Sequence, residues 1–136
     1  MNTNPIVYID RSDVAHGMTA DLRRAVSELV AFVEAREPQL VSYGFYVDDE
    51  ASTMMVVAVH PDSASLELHL TIGGPEFRKV GAFITLRQIE VFGEPSSAVL
   101  QLLDEKARML GGATVIVRSR DAGFARGPSN DRLTKA

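Results

Sequence analysis

The hydrophobic pattern of this chain changes period several times, and each change marks an element. Pro5 to Asp10 (PIVYID) is short, β-branched and aromatic, the signature of a strand, and Asp13 to Gly17 reads as the loop after it. From Thr19, with Asp21 in the first turn, the apolar residues Leu22, Val26, Leu29, Val30 and Val33 recur at helical spacing until Pro38 ends the run. Leu40 to Val47 then alternates, with Val41, Tyr43, Phe45 and Val47 set against Ser42, Gly44 and Tyr46. The acidic turn Asp48-Asp49-Glu50 leads into a second strand-like run, Thr53 to His60, which predicts a hairpin.

Asp62 caps a second helix that runs through Leu70. Pro75 opens a further helical turn carrying Phe77, Val80 and Ile84. Leu86 to Phe92 is a fourth strand, and Ser96 or Ser97 caps a helix with Val99, Leu102, Leu103 and Met109 on one face. Gly111-Gly112 stops that helix before a fifth strand, Ala113 to Arg118. The order βαββαβ followed by αβ predicts an α+β, ferredoxin-like antiparallel sheet with a C-terminal helix and an extra strand.

An antiparallel sheet with one wet face alternates apolar and polar residues, yet Met54 to Val59 is apolar throughout, as are Ile6 to Ile9. Both faces of that sheet need cover. Crossover helices from one chain cover one face, so the other calls for a second copy, and a homodimer packed sheet to sheet is expected. The competing arrangement is a monomer whose last helix and strand fold over the bare face.

Composition narrows the picture. One hundred and thirty-six residues, 46% apolar and 24% charged, suit one domain, taken as residues 1–117 with a basic tail over 118–136. The absence of Cys excludes disulfides, thiolate metal sites and Cys nucleophiles, and it suits the cytoplasm. The six-residue apolar run is far below the roughly 20 of a membrane helix, and Met1 to Pro5 carries no signal-peptide pattern, so no membrane partner is expected. Residues 1–117 carry a net charge of −7 and 118–136 one of +3. An acidic body argues against nucleic acid as a partner.

Several segments together resemble one family. Tyr43-Gly44-Phe45-Tyr46 leading to Val57-Ala58-Val59-His60, then Leu66-Glu67-Leu68-His69-Leu70, Pro75-Glu76-Phe77-Arg78 and Ile89-Glu90-Val91-Phe92-Gly93-Glu94-Pro95 are similar to the antibiotic biosynthesis monooxygenases. The resemblance spans roughly Pro5 to Pro95, and Gly111 to Val115 with Gly123 to Arg126 looks like an extension found in some bacterial members. It implies a dimeric α/β barrel with one pocket per chain between sheet and helices. The family includes quinol and anthrone oxygenases that need neither metal nor flavin, haem-degrading enzymes and proteins of no assigned role.

Cofactor-free oxygenation needs a dry cavity, a base to deprotonate an electron-rich phenol, quinol or anthrone, and hydrogen bonds for the oxyanion. His69 occupies the family's His-Leu position and is the expected base; otherwise it is a helical histidine bonded to a backbone carbonyl or facing solvent. Asp10 falls where some relatives place an Asn, as a second base or substrate ligand, and the bland alternative is a strand-end carboxylate. His60, Tyr8 and Arg78 are the expected pocket-lining residues; strand-end His60 and helical Arg78 equally suit a surface. The chain lacks the Trp used by haem and anthrone enzymes, and the haem-ligating His would fall near Val80 or Gly81, which disfavours haem. No cofactor and no metal are expected: His60 and His69 have no convincing third ligand, Gly73-Gly74-Pro75 lacks the Lys of a phosphate loop, and Ser96-Ser97 reads as a cap. The expected activity is a cofactor-independent monooxygenase acting on a small aromatic metabolite. The alternative is a barrel that binds an apolar metabolite without turnover.

Overall fold

The computed structural model describes residues 4–126. Nine elements follow one another: β1 (Ile6–Val14), α1 (Thr19–Arg36), β2 (Ser42–Asp48), β3 (Thr53–His60), α2 (Ser63–Ile72), α3 (Gly74–Gly81), β4 (Ile84–Phe92), α4 (Ser97–Met109) and β5 (Thr114–Arg118). They build one sheet in the order β2-β3-β1-β4-β5, the ferredoxin-like order with β5 added at an edge. The β1–β3, β1–β4 and β2–β3 pairs are antiparallel, but β5 lies parallel to β4. The sheet is therefore mixed rather than antiparallel. The α4 crossover between β4 and β5 makes this possible, because it is long enough to return the chain beside β4 in the same direction.

β1 runs through Asp13 and Val14, where a loop is expected from the polar residues Arg11 and Asp13. Both of those residues are exposed on its outward face, while Ile6, Tyr8, Asp10, Ser12 and Val14 turn inward and are buried. A bulge at Arg87 lets β4 follow: Arg11 pairs with Gln88 and Ser12 with Leu86, and the Arg87 guanidinium donates to Asp13 Oδ2 at 2.7 Å. The caps at Asp62 and Ser96 accept backbone N–H bonds from Ser65 (2.9 Å) and Val99 (3.2 Å), fixing where α2 and α4 begin.

Helices α1 to α4 pack on the inward face, over a core that includes Tyr8, Leu22, Leu66, Ile89 and Leu103. α4 does not fold over the opposite face: its buried residues Val99, Leu103 and Ala107 join the same core. Among the described residues no helix covers the outward face, where Val7, Ile9, Met55, Val57, Val59, Phe92 and Ile116 are partly exposed. Beyond β5, residues 119–126 form neither helix nor strand and border one end of that face near Val7 and Val59; 127–136, the rest of the expected basic tail, lie outside the described residues. No helix among the described residues is long and apolar enough to cross a membrane.

Candidate active site

The site is a hollow of about 20 Å³ between the inward face and the helices, room for about one water molecule. Its walls come from β1 (Tyr8, Asp10), β2 (Tyr43, Phe45), α2 (His69), α3 (Phe77) and α4 (Lys106). Because side chains alternate along a strand, Tyr8 and Asp10 arrive on the same face. Helical spacing puts His69 beside buried Leu66 and Leu70, facing inward.

His69 makes a contact that its sequence neighbourhood does not suggest. Its Nδ1 lies 2.8 and 3.0 Å from the two carboxylate oxygens of Glu37, and both side chains are buried. It is bonded to a carboxylate, neither to a backbone carbonyl nor turned to solvent. Glu37 is the C-cap of α1, placed there because Pro38 ends the helix and folds the chain back under α2. The rings of Tyr43, His60 and Phe77 surround His69 at centroid distances of 5.2, 5.4 and 5.1 Å. Burial lowers the His69 pKa below its usual 6.5, outweighing the opposing effect of Glu37, so the imidazole is neutral near pH 7.

Across the hollow, the Tyr8 hydroxyl donates to Asp10 Oδ2 at 2.8 Å, and Lys106 Nζ donates to the Tyr8 oxygen at 2.7 Å and to Asp10 Oδ2 at 3.4 Å. The ammonium also sits 4.4 Å from the Phe77 ring centroid and 4.9 Å from that of Tyr8, a cation–π sandwich. Burial lowers the Lys106 pKa against the opposing pull of Asp10. Burial, then the Asp10 charge, raises the phenols of Tyr8 and Tyr43 well above 10, so both stay protonated.

His60 is buried on the inward face behind His69 and does not line the hollow. Its Nδ1 lies 2.7 Å from Ser65 Oγ, and its buried Nε2 has no partner among the described residues. Burial and the neighbouring His69 and Lys106 charges lower its pKa to about 3. Arg78 is a correction: it is exposed on α3 and lines no part of the hollow. The cation that reaches the site is Lys106, and the carboxylate that reaches His69 is Glu37; sequence reasoning singled out neither. Tyr43 and Phe45, which alternate along β2, also line the hollow. The pairing of His60 with His69 is of rings, and among the described residues no group of three or more ligating side chains converges on a metal-sized point.

No family model and no curated protein matches the sequence. Solved structures do match in shape. MupZ from Pseudomonas fluorescens superposes with a TM-score of 0.69 at 14% identity, covering 93% of this chain and 92% of that one. SnoaB, a cofactor-independent oxygenase from Streptomyces nogalater, gives 0.57 at 22% identity over 69% of this chain and 96% of its own. A Caulobacter crescentus protein proposed to be an antibiotic biosynthesis monooxygenase gives 0.58 at 18% identity, over 69% and 92%. The fold is that of the antibiotic biosynthesis monooxygenases. MupZ matches nearly the whole chain, whereas SnoaB and the Caulobacter protein match about two thirds of it. At these identities the likeness is one of fold.

Proposed function

We propose that this protein is a cofactor-independent monooxygenase that oxidises a small electron-rich aromatic substrate, a quinol, phenol or anthrone, with dioxygen. The observation that carries this reading is one buried hollow shared by a neutral imidazole, His69, and an ammonium, Lys106, with the Phe77 ring against both. His69 takes the substrate proton. The resulting anion places its oxygen against Lys106, which has three ammonium protons and gives only two of them to Tyr8 and Asp10, and the charge is stabilised at low local dielectric. Asp10 holds Lys106 in place. The anion gives one electron to dioxygen, the two radicals combine to form the C–O bond of a peroxide anion, His69 returns its proton to the outer oxygen, and loss of the remaining C–H proton with cleavage of the O–O bond releases water and leaves the carbonyl. For an anthrone the balance is CH2 plus O2 giving C=O plus H2O. SnoaB supports the reading as a cofactor-independent oxygenase on the same fold.

A ring-sized substrate exceeds a one-water hollow, so entry displaces side chains at its wall; Leu29 on α1, Phe77 and Val80 on α3 and Leu110 after α4 are the apolar groups there that belong to no strand. The outward face is covered by a second copy, which gives a homodimer. His60 acts from behind His69, and Arg78 takes no part.

The test is oxygen uptake above the autoxidation background with menadiol and anthrone, comparing wild type with His69→Gln. Loss of roughly 10²- to 10⁴-fold is expected on removing the base. Uptake that is absent in wild type, or unchanged in the variant, sinks the proposal; a ligand-dependent rise in melting temperature without turnover would identify a binding protein instead.

A further inference from the structure

We infer that Glu37 is the positioning residue for His69: it holds the proton on Nδ1 and thereby makes Nε2 the only basic nitrogen offered to the hollow. The inference rests on the reading of His69 as the base. An ionised carboxylate only accepts hydrogen bonds, so with both Glu37 oxygens within 3.0 Å of Nδ1, that nitrogen must be the donor. The neutral ring then carries its lone pair on Nε2. The Glu37 side chain is fully buried, and among the described residues its carboxylate has His69 as its one side-chain partner. A buried carboxylate without a partner is costly, so the pair holds itself together.

The charged and titratable surroundings of His69 point the same way. Burial first, and then Lys106 on α4, disfavour a protonated imidazole, Glu37 at the end of α1 and Asp10 on β1 favour it, and His60 on β3, Tyr8 and Tyr43 are neutral. From α3 the Phe77 ring packs against His69. The ring is thus kept uncharged while one of its edges is fixed by a carboxylate. This is an acceptor ready to take a proton, which an imidazolium is not.

The experiment is nitrogen NMR of the His69 ring in the full chain, with ¹⁵N-labelled histidine and His69→Gln for assignment. Wild type is expected to show a protonated Nδ1 and a bare Nε2 and to titrate below 6.5. In Glu37→Gln the neutral amide no longer enforces that choice, and the Nε2-protonated form appears. Oxygen uptake falls at least about 100-fold, in kcat rather than KM, as expected when a base is left in the wrong tautomer. Glu37→Asp, which keeps the carboxylate, retains the wild-type tautomer and most of the rate. A wild-type ring protonated on Nε2, or a folded Glu37→Gln protein with an unaltered ring spectrum, overturns the inference. Should Glu37→Gln fail to fold, the wild-type and Glu37→Asp spectra decide. If the tautomer responds to Glu37 while His69→Gln leaves uptake intact, the positioning stands and the catalytic reading fails.

Discussion

Single residues carry most of the chemistry and much of the pH response. The His60 pKa near 3 means that the unfolded chain takes up a proton below about 6.5 that the folded protein refuses until far lower pH. Stability therefore declines as pH falls through that window, by about 2 kcal/mol between pH 7 and 5 from this residue alone, with His69 adding in the same direction. Urea unfolding at the two pH values measures the loss, and His60→Gln should flatten the profile; a wild-type midpoint that does not move would refute the burial argument. Lys106→Met strands Asp10 inside the protein and should cost about 3–5 kcal/mol, with the double variant Asp10→Asn, Lys106→Met recovering a large part. Legibility at this scale was partial. Tyr8 and Asp10 share a face of a readable strand, but Asp10 and His69 stood out as site residues through the family resemblance, His69 at its His-Leu position. Glu37 could not be read, since a Glu before a Pro at a helix end looks like any solvated charge; its role depends on a contact 32 residues away. Lys106 is likewise hidden among the charges of α4.

Elements position those residues, and their junctions are tight. Gly73, between α2 and α3, is buried, and a Cβ there would meet the Phe77 ring and the His69 carbonyl oxygen, the latter at 2.9 Å. Gly73→Ala should therefore push Phe77 into the hollow and away from Lys106, costing about 1–3 kcal/mol and blocking the site; thermal melts and oxygen uptake together check this. A variant with unchanged stability and rate would show that the junction has slack. The order and type of all nine elements follow from periodicity, capping and glycine placement. Three things did not: β1 outruns its apolar run because Arg11 and Asp13 face outward as ordinary exposed strand residues, Ile84 opens β4 instead of extending the helical turn after Pro75, and the parallel alignment of β5 depends on where the α4 crossover returns. None is written in local sequence.

For the molecule as a whole, the decisive feature is a sheet whose helices, among the described residues, all lie on one side. Val57 lies on the outward face and Val56 on the inward one. With sheet-to-sheet pairing, light scattering should give about twice 14.8 kDa. Val57→Asp should halve that mass while circular dichroism keeps its helical signal, whereas Val56→Asp should unfold the chain, since one buries an unpaired charge at an interface and the other in the core. A monomeric wild type would refute the pairing.

β1 serves both sides of the sheet, Tyr8 and Asp10 on one and Val7 and Ile9 on the other. On an extended ribbon, inserting a single residue would exchange the two sets, sending the reactive groups outward and the greasy ones inward. This stretch is therefore locked against changes in length, and a descendant that takes a different metabolite must be retuned from the movable side, at Phe77, Val80 or Leu110.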